Sequence, residues 1–280
     1  RDSRKRSFYG VIMAGGSLGA IFGSEISKRF SGSFDELGLE LFSLSAALFL
    51  FLAMLLALYM LSISNNDQTI DTDNAGGGSF DAIKNSLQIN EVRNIASYVW
   101  IWTALMTVQW ITAINIVEDW SQNSEQRLRF FAIMEQVISP LTLIIQLFFT
   151  NLIIKKIGIK NILLSYGILF CIAFILYGLI PSIISVGVVT VFLRVFEYGI
   201  NKPTRETIFS TLKKNDRYKS TVFIDTFISR FGDLSGSGFI AIGKLTSIAA
   251  NSLPLIAIPI AGFLSILGIR ISRNINTKDL

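Results

Sequence analysis

Histidine is absent and cysteine occurs once, at Cys171, inside an apolar stretch. Those two shortages exclude catalysis built on imidazole, a cysteine-rich zinc site and an intrachain disulfide. Charge is also scarce. Only 16% of the 280 residues are Asp, Glu, Lys or Arg, whereas a soluble domain carries about a quarter. No stretch alternates polar and apolar residues over the roughly ten positions of an outer-membrane barrel strand, so an all-α chain is expected. No signal peptide is recognisable, and the chain opens with RDSRKRSF rather than methionine. It is therefore expected to begin partway through a longer protein.

What the sequence has in quantity is hydrophobic length, with 51% of residues apolar. Runs of about 17–25 such residues cross a bilayer as helices. Eight qualify, at about 8–27, 41–63, 95–117, 129–153, 161–180, 182–201, 222–245 and 252–272. A polar linker, SNNDQTIDTDNAGGGS at 64–79, separates the first two from the other six. After it, Phe80, Ile83 and Leu87 recur at helical spacing beside Asp81, Lys84 and Glu91, which predicts a short amphipathic helix over 80–90 on the membrane surface. The expected units are thus 1–63, a linker at 64–92, and a six-helix unit at 93–280.

The net charge of +5 finds its explanation in the membrane rather than in nucleic acid. If Arg1 is cytosolic, 18 of the 25 Lys and Arg residues fall on the cytosolic side: four in 1–6, Lys84, Arg93, three in 155–160, six in 202–219, Arg270, Arg273 and Lys278. Five fall on the other side and two within spans. This positive-inside bias predicts a multi-pass protein of the plasma membrane with both ends of the segment in the cytosol.

Charges inside hydrocarbon cost several kcal/mol and point to an interior pathway. Residues 182–201 contain Arg194 and Glu197, and 222–244 contain Asp225, Arg230 and Asp233. Thr190, Arg194, Glu197 and Asn201 are spaced 4, 3 and 4 apart, as one face of a helix would be. Asp225, Ser229, Asp233 and Ser237 form a second polar stripe. Glu135, Ser139, Thr142 and Gln146 form a third, with Pro140 able to bend the helix. Its alternative reading is a set of hydrogen bonds between helices. Gly15, Gly19 and Gly23 lie four residues apart and predict a tight helix crossing or a gate.

Two other patterns carry no chemistry. Gly238–Lys244 (GFIAIGK) fits the start of a phosphate-binding loop, but Leu245 stands where a Mg²⁺-binding Ser or Thr is required and no strand precedes it. Asp225 and Asp233 lie about 12 Å apart along one helix, too far to share a proton as protease carboxylates do. No enzyme activity, cofactor or metal site is expected.

From Arg194 the chain reads RVFEYGINKPTRETIF, followed by a charged loop and an Ile-Asp, with Pro203, Arg205, Glu206, Ile224 and Asp225 as the informative positions. The segment resembles the nucleotide-transporter branch of the major facilitator superfamily, which includes the ATP/ADP exchangers of plastids and obligate intracellular bacteria. RKRSFYGVIMAGGSLGAIFGS at 4–24 is similar to the fifth span of that family. The resemblance runs over about 4–245 and implies a twelve-helix transporter of which these spans are helices five to twelve. It also implies a solute site between two halves and alternating access. Glu118 looks like a glutamate of the exchangers' seventh span, whereas Asp233 replaces a lysine of their eleventh.

The expected function is secondary transport of an anionic solute, with phosphorylated metabolites or nucleotides such as ATP and ADP foremost. Arg194 and Arg230 would hold the anion; Glu197, Asp225 and Asp233 would balance them in the empty site, one carboxylate exchanging a proton, and Glu135 and Gln146 would complete the lining. Arg205, Glu206, Gly15 and Gly19 would serve gating. The partners expected are the small solute and the bilayer, with no nucleic acid, and the protein is expected to be monomeric. The structural alternative makes Arg194–Glu197 and Arg230–Asp233 intrahelical ion pairs. Other functions left open are a proton-coupled exporter of small or lipid-like solutes and a non-transporting membrane sensor or assembly subunit.

Overall fold

The computed structural model describes residues 15–16, 18–26, 36–66, 88–209, 220–248 and 252–274. Among them there is no strand. A helical stretch at 18–26 precedes seven longer helices: α1 (Glu36–Asn66), α2 (Asn90–Trp120), α3 (Ser124–Ile157), α4 (Ile159–Leu179), α5 (Ile183–Phe209), α6 (220–245) and α7 (Leu253–Asn274). Six stretches are long and apolar enough to cross a membrane: Ser43–Met60 in α1, Asn90–Trp120, Ser124–Ile157, Ile159–Leu179, Ile183–Phe209 and Leu253–Ser272. The chain is a multi-pass membrane protein.

Eight spans were expected. The run at 8–27 lies partly outside the described residues, and most of the linker at 64–92 and of the amphipathic helix predicted at 80–90 lies outside them. The run at 222–245 is helical but falls short of the other six in apolar character. Arg230, Asp233 and a series of serines and glycines dilute it.

Local signals set the helix ends. Asn123 accepts the Glu125 amide proton through its side chain at the start of α3 (2.8 Å). Ser182 and Ser185 form a reciprocal capping box that opens α5. Lys155 and Lys156 sit in the last turn of α3, against the negative end of its dipole. Gly158 alone joins α3 to α4; its φ of 81° lies where side-chain-bearing residues are strained.

The core runs through α2, α4, α5 and α7, where Tyr98, Leu163, Tyr166, Phe170, Phe174 and Tyr177 are wholly buried. α2 packs on α6 and α7, α4 on α7, and α3 on α5. By contrast, Leu48, Phe49, Leu50, Leu52, Leu56 and Met60 of α1 are all exposed, as lipid-facing side chains are.

Close helix contact depends on glycine. Around Gly15, Gly19 and Gly23, where a tight crossing or a gate was expected, no atom of the described residues comes within 4 Å of where a Cβ would stand; residues 1–14, 17 and 27–35 lie outside the described residues. A tight crossing is formed between α6 and α2. A Cβ on Gly232 would lie 2.6 Å from Trp100 O, and one on Gly236 would lie 2.4 Å from Ala104 O. Backbone cannot yield as a side chain can, so Gly236→Leu should push α6 from α2 and lower stability by about 1–3 kcal/mol. Thermal unfolding in detergent measures it; Gly238→Leu, facing open space, should leave the midpoint unchanged.

Candidate functional site: two cavities divided by a cross-helix ion pair

Arg194 stands in the wall between two cavities. The first, about 240 Å³, is lined by Gly16 and Ala20, by Glu135, Ile138, Ser139, Thr142 and Gln146 of α3, and by Arg194 and Tyr198 of α5. The second, about 360 Å³, is lined by Met106, Thr107, Gln109 and Trp110 of α2, Arg194 and Tyr198 of α5, and Asp233 of α6. Arg194 Nη1 donates to Glu135 Oε2 at 2.6 Å, and Ser139 Oγ donates to Glu135 Oε1 at 2.9 Å. The Arg194 guanidinium also sits 5.7 Å from the Tyr198 ring centre. About a quarter of each ion-pair side chain remains exposed. The pair is therefore a closed contact with open flanks rather than a sealed core bridge.

The 4-3-4 stripe on α5 divides. The helix widens into a π turn at Glu197–Asn201, and the extra residue in that turn breaks the α register. Arg194 consequently meets α3 and the cavities, whereas Glu197 turns into the core. There Asn201 Nδ2 donates to Glu197 Oε2 (2.6 Å) and Arg205 Nη2 to Oε1 (3.2 Å). The Arg205 guanidinium lies 4.6 Å from the Trp102 ring centre, and Tyr98 Oη donates to Asn201 Oδ1 (3.3 Å). Thr190, at the head of the stripe, accepts from Gln109 Nε2 (3.2 Å), which also donates to Tyr177 Oη (2.9 Å).

Two expectations are thereby corrected. Arg194 and Glu197 do not pair along the helix, because each has a nearer partner of opposite sign elsewhere. Nor do Arg205 and Glu206, the residues expected to serve gating, pair with each other. Arg205 is 5% exposed and committed to Glu197, while Glu206 is half-buried.

A second π turn, Ile145–Phe149 in α3, faces the first. Pro203 explains the link between them. It has no N–H to give Tyr198 O at π spacing or Gly199 O at α spacing. Both carbonyls are met from α3: Gln146 Nε2 donates to Tyr198 O (3.0 Å) and Thr150 Oγ1 to Gly199 O (2.6 Å). Gly199 permits the approach, since a Cβ there would fall 2.9 Å from Ile145 Cγ2. The expected hydrogen bonding between helices from the α3 stripe is thus realised at Gln146, which also keeps its place in the lining.

Of the α6 stripe, Asp233 reaches the second cavity and accepts from Thr107 Oγ1 (3.0 Å) and Arg230 (3.1 Å). The intrahelical Arg230–Asp233 pair is therefore present, with Arg230 pointing outward. Asp225 is exposed on the π turn Ile224–Ile228. The five ionisable groups accordingly do not share one chamber: Arg194 and Asp233 line the second cavity, with Arg230 paired to Asp233. Glu197 is sealed off, and Asp225 stands apart. Gly15 and Gly19 are exposed, as is Glu118, which accepts through its backbone oxygen from Gln122. Among the described residues no group of three His, Cys, Asp or Glu side chains is placed to hold a metal.

Sequence reasoning passed over the α2 contribution. Tyr98, Trp102, Met106 and Gln109 are spaced 4, 4 and 3 apart and present one face to the Glu197 network and the second cavity. The spacing was available as a signal, but none of the four carries a charge.

Removing one member of a buried pair strands the other. Arg205→Met should destabilise the protein by about 3–5 kcal/mol, and adding Glu197→Gln should recover most of that loss in thermal unfolding. Thr150→Val, which leaves Gly199 O without a donor, should cost about 1–3 kcal/mol in the same measurement. Set against models of known protein families and against curated proteins, the chain matches none.

Proposed function

We propose that the chain belongs to a secondary transporter that moves a small anionic solute by alternating access. The observation that carries this reading is the Glu135–Arg194 pair, held on two different apolar helices and flanked on both sides by cavities. An arginine among apolar helices is costly. One whose partner is a carboxylate within reach of an entering anion is poised to change partners. In the empty carrier Glu135 occupies Arg194; a solute phosphate or carboxylate takes its place, and the guanidinium fork suits either group. Releasing Glu135 loosens the contact between α3 and α5 beside their facing π turns. That gives the solute a differential affinity for one arrangement of the helices, which alternating access requires.

The resemblance over 194–233 supports assigning the chain to the nucleotide-transporter branch of the major facilitator superfamily, as helices five to twelve of twelve. Phosphorylated metabolites or nucleotides, ATP and ADP among them, are then the first solutes to test. On this reading the protein is a monomer in the plasma membrane with both ends of the segment in the cytosol. Glu135 and Asp233 both line cavities, which favours a proton-coupled exporter on the same fold as the second reading.

In vesicles reconstituted with the full-length protein, labelled ATP and sugar phosphates should exchange, and Arg194→Gln should lower the rate at least about tenfold. Exchanging the pair, Glu135→Arg with Arg194→Glu, should preserve the unfolding midpoint and abolish flux. Wild-type flux in the exchanged variant would mean that the pair only holds α3 to α5.

A further inference from the structure

Threonines inside these helices ordinarily satisfy themselves. Thr103, Thr112, Thr204 and Thr207 each donate to the carbonyl four residues back. Thr142 does not. Its Oγ1 is buried and has no hydrogen-bond partner among the described residues, and the residue is 4% exposed. One turn further along the same face, Gln146 Oε1 is also buried and unpartnered. The amide's orientation is fixed by its other end, because Tyr198 O can only accept and so must face Nε2. Both residues line the first cavity, together with Glu135 and Arg194.

The two unpartnered atoms define what is missing. A carboxamide oxygen only accepts, and a hydroxyl both accepts and donates. The group that satisfies both is a hydrogen-bond donor, a hydroxyl or an amine, entering on the α3 side of Arg194. Glu135, once displaced from the guanidinium, adds a third acceptor on the same wall. A site built to hydrogen-bond a solute hydroxyl rejects the analogue lacking it, because its own polar atoms then stay unpaired.

We propose that Thr142 and Gln146 form a specificity subsite that reads hydrogen-bond donors on the solute. The transported anion is therefore a hydroxylated or aminated one, such as a polyol phosphate or the ribose of a nucleotide, rather than a bare alkyl anion. This rests on the anion-carrier reading above. Arg194 holds the charged end, and the subsite holds the neutral, donor-bearing part.

The test uses the full-length protein in nanodiscs and two matched pairs of probes that differ only in hydroxyls: glycerol 3-phosphate against propyl phosphate, and ATP against 2′,3′-dideoxy-ATP. Wild type should prefer the hydroxylated member of at least one pair by about fivefold or more. Thr142→Val, which removes an unbonded hydroxyl and should leave the unfolding midpoint intact, should reduce the preference below about twofold without weakening the deoxy probe. Thr142→Ser should restore it, and Gln146→Met, its folding checked by the same midpoint, should lower it as well. Equal binding of both members through Arg194, or a preference that survives in Thr142→Val and Gln146→Met, would overturn the subsite while leaving the carrier reading intact. Failure of all four probes to bind, with Arg194→Gln no different, would remove the carrier reading and the subsite with it.

Discussion

A helix in hydrocarbon has no water to complete its backbone, so each carbonyl must find a donor within the protein. Pro203 withdraws one such donor from the C-terminal third of α5, and the arrangement of the site follows from how that loss is met. Helix α5 widens at Glu197–Asn201, and Gln146 and Thr150 reach across from α3 to Tyr198 O and Gly199 O. Those two bonds fix the spacing and rotation of α3 against α5, and Arg194 is thereby brought to Glu135. The same widening turns Glu197 away from the cavities and into contact with Arg205 and Asn201. A single missing N–H thus separates two acidic-basic pairs that would otherwise compete along one face.

The two pairs differ in what they can do. Glu197 and Arg205 are almost completely buried, with Asn201, Tyr98 and Trp102 around them. Desolvation makes such a pair costly to open, and Nε and Nη1 of Arg205 have no hydrogen-bond partner among the described residues. It acts as a fixed point of the bundle. Arg194 lines both cavities and Glu135 the first, and each side chain stays about a quarter exposed, so their contact can be traded for another without exposing an unpaired charge to hydrocarbon.

Much of the helical layout was legible, because apolar length is a property of composition and survives any detail of packing. The stretches at 95–117, 129–153 and 161–180 fall within or close to α2, α3 and α4 for that reason. The stripes were less legible, since reading Thr190, Arg194, Glu197 and Asn201 as one face assumes an uninterrupted α register. Pro203 was the visible clue that the register breaks, but it lies outside the stripe. Arg205 was read as part of a cytosolic basic loop; α5 instead continues to Phe209 and carries it into the core. Gly15, Gly19 and Gly23 looked like contact glycines by spacing, yet contact depends on what lies opposite, which spacing alone does not encode. Thr107 and Gln109 were overlooked because an uncharged polar residue in a span is common and gives little warning of its neighbours.

Gly158 is the sole residue between α3 and α4, and it adopts at little cost a backbone conformation that strains side-chain-bearing residues. A connection that short leaves no slack. The end of α3 therefore stays beside the start of α4, and α4 in turn is packed along α7. The α3–α5 contact and the α4–α7 contact are thus tied to each other by the covalent chain as well as by packing.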